Sequence, residues 1–183
     1  DGAMAGDMLY TAFKVKGPVA IRYSKDRIEE QESLYHSLEL GKWEVSGYPE
    51  KVINDGYLIS YGDFYNRALE IRDELKKKNI YLKVVNAMFI KPMDYVVLKK
   101  IVKQKKPVFV YEEVTSIGSL GSEIAKYLLE CEFKSVFYDY AIKDEFIKQG
   151  KKEEVIKFLK LDNGSIIKDI EKRLNNANRS KNS

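Results

Sequence analysis

Cysteine and histidine are almost missing from this sequence: one of each, Cys131 and His36, among 183 residues. A single thiol excludes an internal disulfide, and without paired Cys or His none of the ordinary zinc spacings can be written. Such a chain suits a reducing cytosol, or an organelle stroma like it. Long apolar runs are lacking as well. No stretch approaches the roughly 18 residues that cross a bilayer, and no basic-then-apolar signal opens the chain, so neither a membrane partner nor secretion is expected. Nor does one sign of charge dominate: 32 Lys+Arg face 28 Asp+Glu, a formal net charge of +4. The lysines alternate with glutamates along the helices instead of forming one stripe, which argues against a nucleic acid partner.

What the chain has is enough apolar material, 44% of residues, for a core of ordinary size plus additional segments. Its opening, Asp1 to Gly6, reads as an expression scar or truncation joint outside the fold. Asp7 can then cap a short helix carrying Met8, Leu9, Ala12 and Phe13, stopped by Gly17-Pro18, with a strand from Val19 to Tyr23 after it. That strand has few upstream residues to pair with, so residues 1–23 are expected to be the remnant of a domain whose larger part lies elsewhere. Residues 24–41 are charged without a sustained apolar period and read as a linker.

Beyond the linker, strand and helix patterns alternate. Strands are expected at Tyr57 to Tyr61, Tyr81 to Asn86, Pro107 to Glu112 and Ser135 to Tyr140. Helices are expected from Asp63 to about Lys78, from the capping Asp94 through Val102, and from the Gly118–Ser122 turn through Leu129. Two more, Glu153 to Leu159 and Ser165 to Leu174, follow. Crossovers of this length imply an α/β domain over residues 42–174, with a mainly parallel sheet and helices on both faces. Residues 175–183 carry no apolar face and are expected to be a disordered tail.

Few constellations carry chemistry. The turn Gly118-Ser119-Leu120-Gly121-Ser122 follows a strand and opens a helix, as phosphate-cradling loops do. It lacks the Gly-Lys-Ser/Thr end of a P-loop and the three-glycine dinucleotide spacing, so tight packing of helix on strand is the main expectation. Glu112 and Glu113 sit at a strand end, where parallel sheets place ligands, but adjacent residues point to opposite faces. One of them is better read as a cap or a domain-contact acceptor than as half of an acid–base pair. His36 reads as a solvated or interface imidazole, Cys131 as a small buried apolar residue, and the lysine runs 76–78 and 103–106 as solvated helix ends. The strongest cluster is Arg22, Tyr23 and Lys25, two cations and a phenol leaving a strand, which can meet an anionic group such as a phosphate.

Several segments then occur in one order: Met8 to Ala12, Gly17 to Tyr23, Gly41-Lys42-Trp43, Val84 to Asp94, Glu112-Glu113, Gly118 to Ser122 and Asp144 to Gly150. In that order the chain resembles the C-terminal third of the 1-deoxy-D-xylulose-5-phosphate synthase family, from about Asp7 to Leu174. The resemblance implies a transketolase C-terminal-type domain preceded by the end of a pyrimidine-binding domain. It also implies a thiamine-diphosphate-dependent transferase that joins pyruvate to D-glyceraldehyde 3-phosphate with loss of CO2, its product feeding isoprenoid, thiamine and pyridoxal synthesis. Thiamine diphosphate and Mg²⁺ would be held by the other domains of the same, homodimeric enzyme, so this chain alone should be inactive and carry no catalytic, cofactor or metal residue.

By the same resemblance, Lys25 takes the position of the basic residue that contacts the substrate phosphate, with Arg22 as a neighbouring support. The family usually has an Arg-Tyr-Pro-Arg-Gly run where this chain has Arg22-Tyr23-Ser24-Lys25-Asp26. Lys keeps the charge but not the planar bidentate contact, so weaker phosphate binding is expected. Val114, Ser119 and Lys143 also depart from the usual Asn, Gly and Pro. Another transketolase-like enzyme, such as a 2-oxo-acid dehydrogenase β subunit, and a stand-alone interaction module are the alternatives.

Overall fold

The computed structural model describes residues 1–23, 34–48 and 53–179. Lys25, most of the expected linker and residues 180–183 lie outside that set. Eleven elements are described: α1 (Gly2–Lys14), β1 (Glu44–Ser46), β2 (Gly56–Ser60), α2 (Asp63–Lys77), β3 (Leu82–Asn86), α3 (Tyr95–Gln104), β4 (Val108–Thr115), α4 (Leu120–Glu130), β5 (Phe137–Ile142), α5 (Lys152–Phe158) and α6 (Asn163–Arg179). The sheet order is β1-β3-β2-β4-β5, with β3, β2, β4 and β5 parallel and β1 antiparallel at one edge.

The parallel α/β core follows the expected pattern for a physical reason. β2 lies in the middle of the sheet and every one of its residues is buried, as a strand covered on both faces must be. Successive residues serve opposite faces: Leu58, Phe109 and Tyr111 pack with α2, α5 and α6, whereas Tyr57, Ile59, Val108 and Val110 pack with α3 and α4. Asp94 caps α3 by accepting from the N–H groups of Val96 (2.9 Å) and Val97 (3.0 Å), and its other oxygen accepts from Trp43 N–H at 3.0 Å. At the far end of α2, Asn79 takes a left-handed φ of 60°, which Asn tolerates better than most residues.

Four expectations change. Asp1, not Asp7, caps α1, accepting from Met4 N–H at 2.8 Å, so the opening residues belong to a helix. Asp7 instead accepts from the N–H of His36 at 2.8 Å, and the buried Thr11 hydroxyl accepts from Leu38 N–H at 2.8 Å. These two bonds strap α1 to residues 34–38. Second, Val19 to Tyr23 form no strand: they are exposed, and no strand among the described residues pairs with them, so no ladder forms to define one. Third, β1 was not anticipated. Three residues are too few for an alternation to register, and its place depends on pairing Glu44 with Asn86 and Val45 with Val85. Fourth, α6 continues through residues 175–179, expected in the tail. No Gly or Pro interrupts that stretch, and adding a turn to an existing helix costs far less than starting one.

Candidate functional site at the carboxyl rim of the sheet

The carboxyl ends of β2 and β4 bring the chemistry-bearing residues together. β4 delivers Glu112 with no exposed surface. A buried carboxylate needs donors, and two converge on it: the N–H of Gly121 on Oε1 at 2.9 Å and the phenol of Tyr61, just beyond β2, on Oε2 at 2.9 Å. Burial, reinforced by the Glu112 charge, raises the Tyr61 phenol well above its usual range, which keeps it protonated and donating.

The Gly118–Ser122 turn is built around this carboxylate. Gly118 has φ +70°, a conformation suited to glycine, and Ser119 caps α4 by accepting from Ser122 N–H at 3.0 Å. Gly121 has a further role. The carboxyl group of Asp139, from β5, occupies the space where a Cβ on residue 121 would stand, 2.6 Å from Oδ1. Asp139 is pushed up to about 7, first by burial and then by the neighbouring Glu112, against a smaller opposing effect of the Ser119 hydroxyl. A turn of this form could have received a phosphate. Here the inward space is taken by two carboxyl groups, which repel an anion, so the packing expectation is the right one for this turn.

Glu113 points to the opposite face, as adjacent strand residues must. Its carboxylate lies 3.5 Å from Lys152 Nζ, which also donates to Asp63 Oδ2 at 2.7 Å, tying the starts of α2 and α5 to the end of β4. The Glu113 backbone carbonyl accepts from Arg22 Nη2 at 3.4 Å. Arg22, itself exposed, is thus brought to the rim beside Tyr61, whose phenol feels its charge. Tyr23 is 84% exposed. Of the expected cluster, the described residues therefore place Arg22 at the rim and Tyr23 in solvent.

His36 is exposed, in line with a solvated imidazole, while Cys131 is only half-buried at the end of α4. The cap reading of the glutamate pair holds for Glu112. Tyr61 and Asp139 were not singled out from the sequence, although an acid inside the run Phe137-Tyr138-Asp139-Tyr140 was a usable signal. Among the described residues no group of three or more His, Cys, Asp or Glu side chains could hold a metal ion. No helix among the described residues is long and apolar enough to cross a membrane.

Comparison with known proteins gives these observations a family. Relatives named 1-deoxy-D-xylulose-5-phosphate synthase include one from Clostridium tetani, 30% identical over 165 residues, 90% of this chain and 26% of the relative. Another, from Carboxydothermus hydrogenoformans, is 34% identical over 154 residues, 84% of this chain and 24% of the relative. The chain spans about a quarter of the length of the curated relatives it matches. Among solved structures, a split-gene transketolase described as an inactive β4 tetramer superposes with a TM-score of 0.78 at 24% identity, over 92% of this chain and 54% of that one. A Pichia stipitis transketolase gives 0.53 at 15% identity, over 73% and 18%. Both likenesses concern the fold. The family described as "Transketolase, C-terminal domain" matches residues 49–166, which takes in every element from β2 to α5. A match over that much of its length makes this chain a member of the transketolase C-terminal domain family.

Proposed function

We propose that this chain serves as the C-terminal part of a 1-deoxy-D-xylulose-5-phosphate synthase, an enzyme that condenses pyruvate with D-glyceraldehyde 3-phosphate and releases CO2. The observation that carries the reading is that relatives 30–34% identical over most of the chain share that one name. In this reading the remaining domains of the same enzyme hold thiamine diphosphate and Mg²⁺, and the cofactor supplies the decarboxylation of pyruvate. The whole enzyme works as a homodimer in a bacterial cytoplasm or a plastid-like stroma, and this chain alone is inactive. Its own contribution is positional. Lys25 offers an ammonium to the aldehyde substrate's phosphate, and Arg22, three residues earlier in the sequence and bonded to the Glu113 carbonyl at the rim, is a neighbouring support.

A genetic test is direct. Joined to the missing domains and expressed in cells lacking their own synthase, the chain should restore growth without added precursor, whereas the chain alone should not. Failure of the joined protein to rescue, despite accumulating in folded form, would count against the assignment.

A further inference from the structure

Asp139 and Glu112 present a problem of hydrogen-bond accounting. Glu112 is fully buried, and its two carboxyl oxygens already accept from Gly121 N–H and Tyr61 O–H. The Asp139 carboxyl, from β5, lies against Gly121, whose N–H donates to Glu112, yet its Oδ1 is buried and has no donor among the described residues. Two ionised carboxylates packed on the same helix start, one fully buried and the other with a buried, orphaned oxygen, are costly to hold together. A proton on one of them removes a charge and turns an acceptor into a donor, so the pair becomes a carboxyl–carboxylate hydrogen bond.

We propose that the Asp139 carboxyl keeps its proton in the folded chain and donates it to Glu112, and that this hydrogen bond fastens the Gly118–Ser122 turn and the first turn of α4 onto β5. The groups that bear on the pair come from each neighbouring element: the Ser119 hydroxyl and Gly121 N–H from the turn and α4, Tyr61 from the end of β2, and Arg22 from the segment before residue 24. Among the described residues that bear on the pair Arg22 alone is cationic, and it is exposed and donates to the backbone carbonyl of Glu113. Loss of the proton to water therefore places a second negative charge beside Glu112. Gly121 is part of the device, because only a residue without a side chain lets the Asp139 carboxyl lie against the helix start. The corner is thus a latch that loosens as pH rises. It is independent of which transketolase-type reaction the complete enzyme performs.

The test is a carboxyl ¹³C titration of the 183-residue chain, with amide hydrogen exchange at Gly121 and Ser122 followed over the same range. The expected result is an Asp139 carboxyl midpoint near neutrality. Gly121 exchange should accelerate above that midpoint by more than the tenfold per pH unit of the exchange chemistry itself. Glu112→Gln keeps an acceptor for Gly121 and supplies a donor to Asp139, so it should lower the Asp139 midpoint, with burial still holding it above the ordinary carboxyl range, and move the onset of the extra acceleration down with it. Two carboxyl midpoints both below about 5 in the unaltered chain would overturn the proposal. So would a near-neutral midpoint with no change in Gly121 protection beyond the exchange chemistry.

Discussion

Replacing Gly121 by Ala tests how closely the rim is packed. The added Cβ would lie 2.6 Å from Asp139 Oδ1 and closer still to the rest of that carboxyl, well inside normal contact. The Asp139 carboxyl must shift to make room, and moving it takes it away from the neighbouring Glu112 and Ser119. Overpacking of this kind costs about 1–3 kcal/mol. Alanine returns up to about 1 kcal/mol of helix propensity relative to glycine, so the net loss should be about 1–2 kcal/mol. With a urea slope of about 1–3 kcal/mol per molar, the unfolding midpoint of the Gly121→Ala chain should fall by roughly half to one molar without a change of slope. The same substitution in an Asp139→Ala background meets no carboxyl, and there it should be neutral or stabilising. An equal cost in both backgrounds would refute the reasoning, as would a Gly121→Ala chain more stable than the parent.

Asp94→Ala removes the cap of α3 and the acceptor of the buried Trp43 N–H together, so it should cost about 2–4 kcal/mol in urea unfolding. The raised Asp139 has a definite stability signature: the folded chain holds a proton that the unfolded chain gives up near pH 4. The resulting stabilisation is complete below about 4 and is lost as pH rises through about 7. Unfolding of the parent measured against Asp139→Asn across that interval should show the loss in the parent alone. In the complete enzyme, Lys25→Arg should lower the KM for glyceraldehyde 3-phosphate through bidentate phosphate contact, and an unchanged KM would remove Lys25 from the substrate site.

The four parallel strands and the helices between them were legible because each is long enough for its period to show and carries its own punctuation, such as Asp94 before α3 or Asn79 after α2. What was not legible depended on tertiary partners. β1 is three residues long and is defined by its pairing with β3. Asp1 becomes a cap only because the opening residues form a helix, which their composition did not announce. Val19 to Ile21 look like a strand because the β-branched Val19 and Ile21 fit one face of a half-buried pleat, yet no neighbouring strand meets them among the described residues. At the rim, the opposed directions of Glu112 and Glu113 followed from strand geometry alone. The convergence of Tyr61, Gly121 and Asp139 on Glu112 joins residues as far as 51 positions apart, and no local pattern records such a meeting.

The assignment as part of a synthase is tested most directly by reconstitution. The chain is mixed with the remaining domains of the enzyme, and thiamine-diphosphate-dependent release of CO2 from pyruvate is followed with and without glyceraldehyde 3-phosphate. The account predicts turnover only in the mixture, and only when the aldehyde is present. Release of CO2 that ignores the aldehyde, or none at all from correctly folded parts, would contradict it.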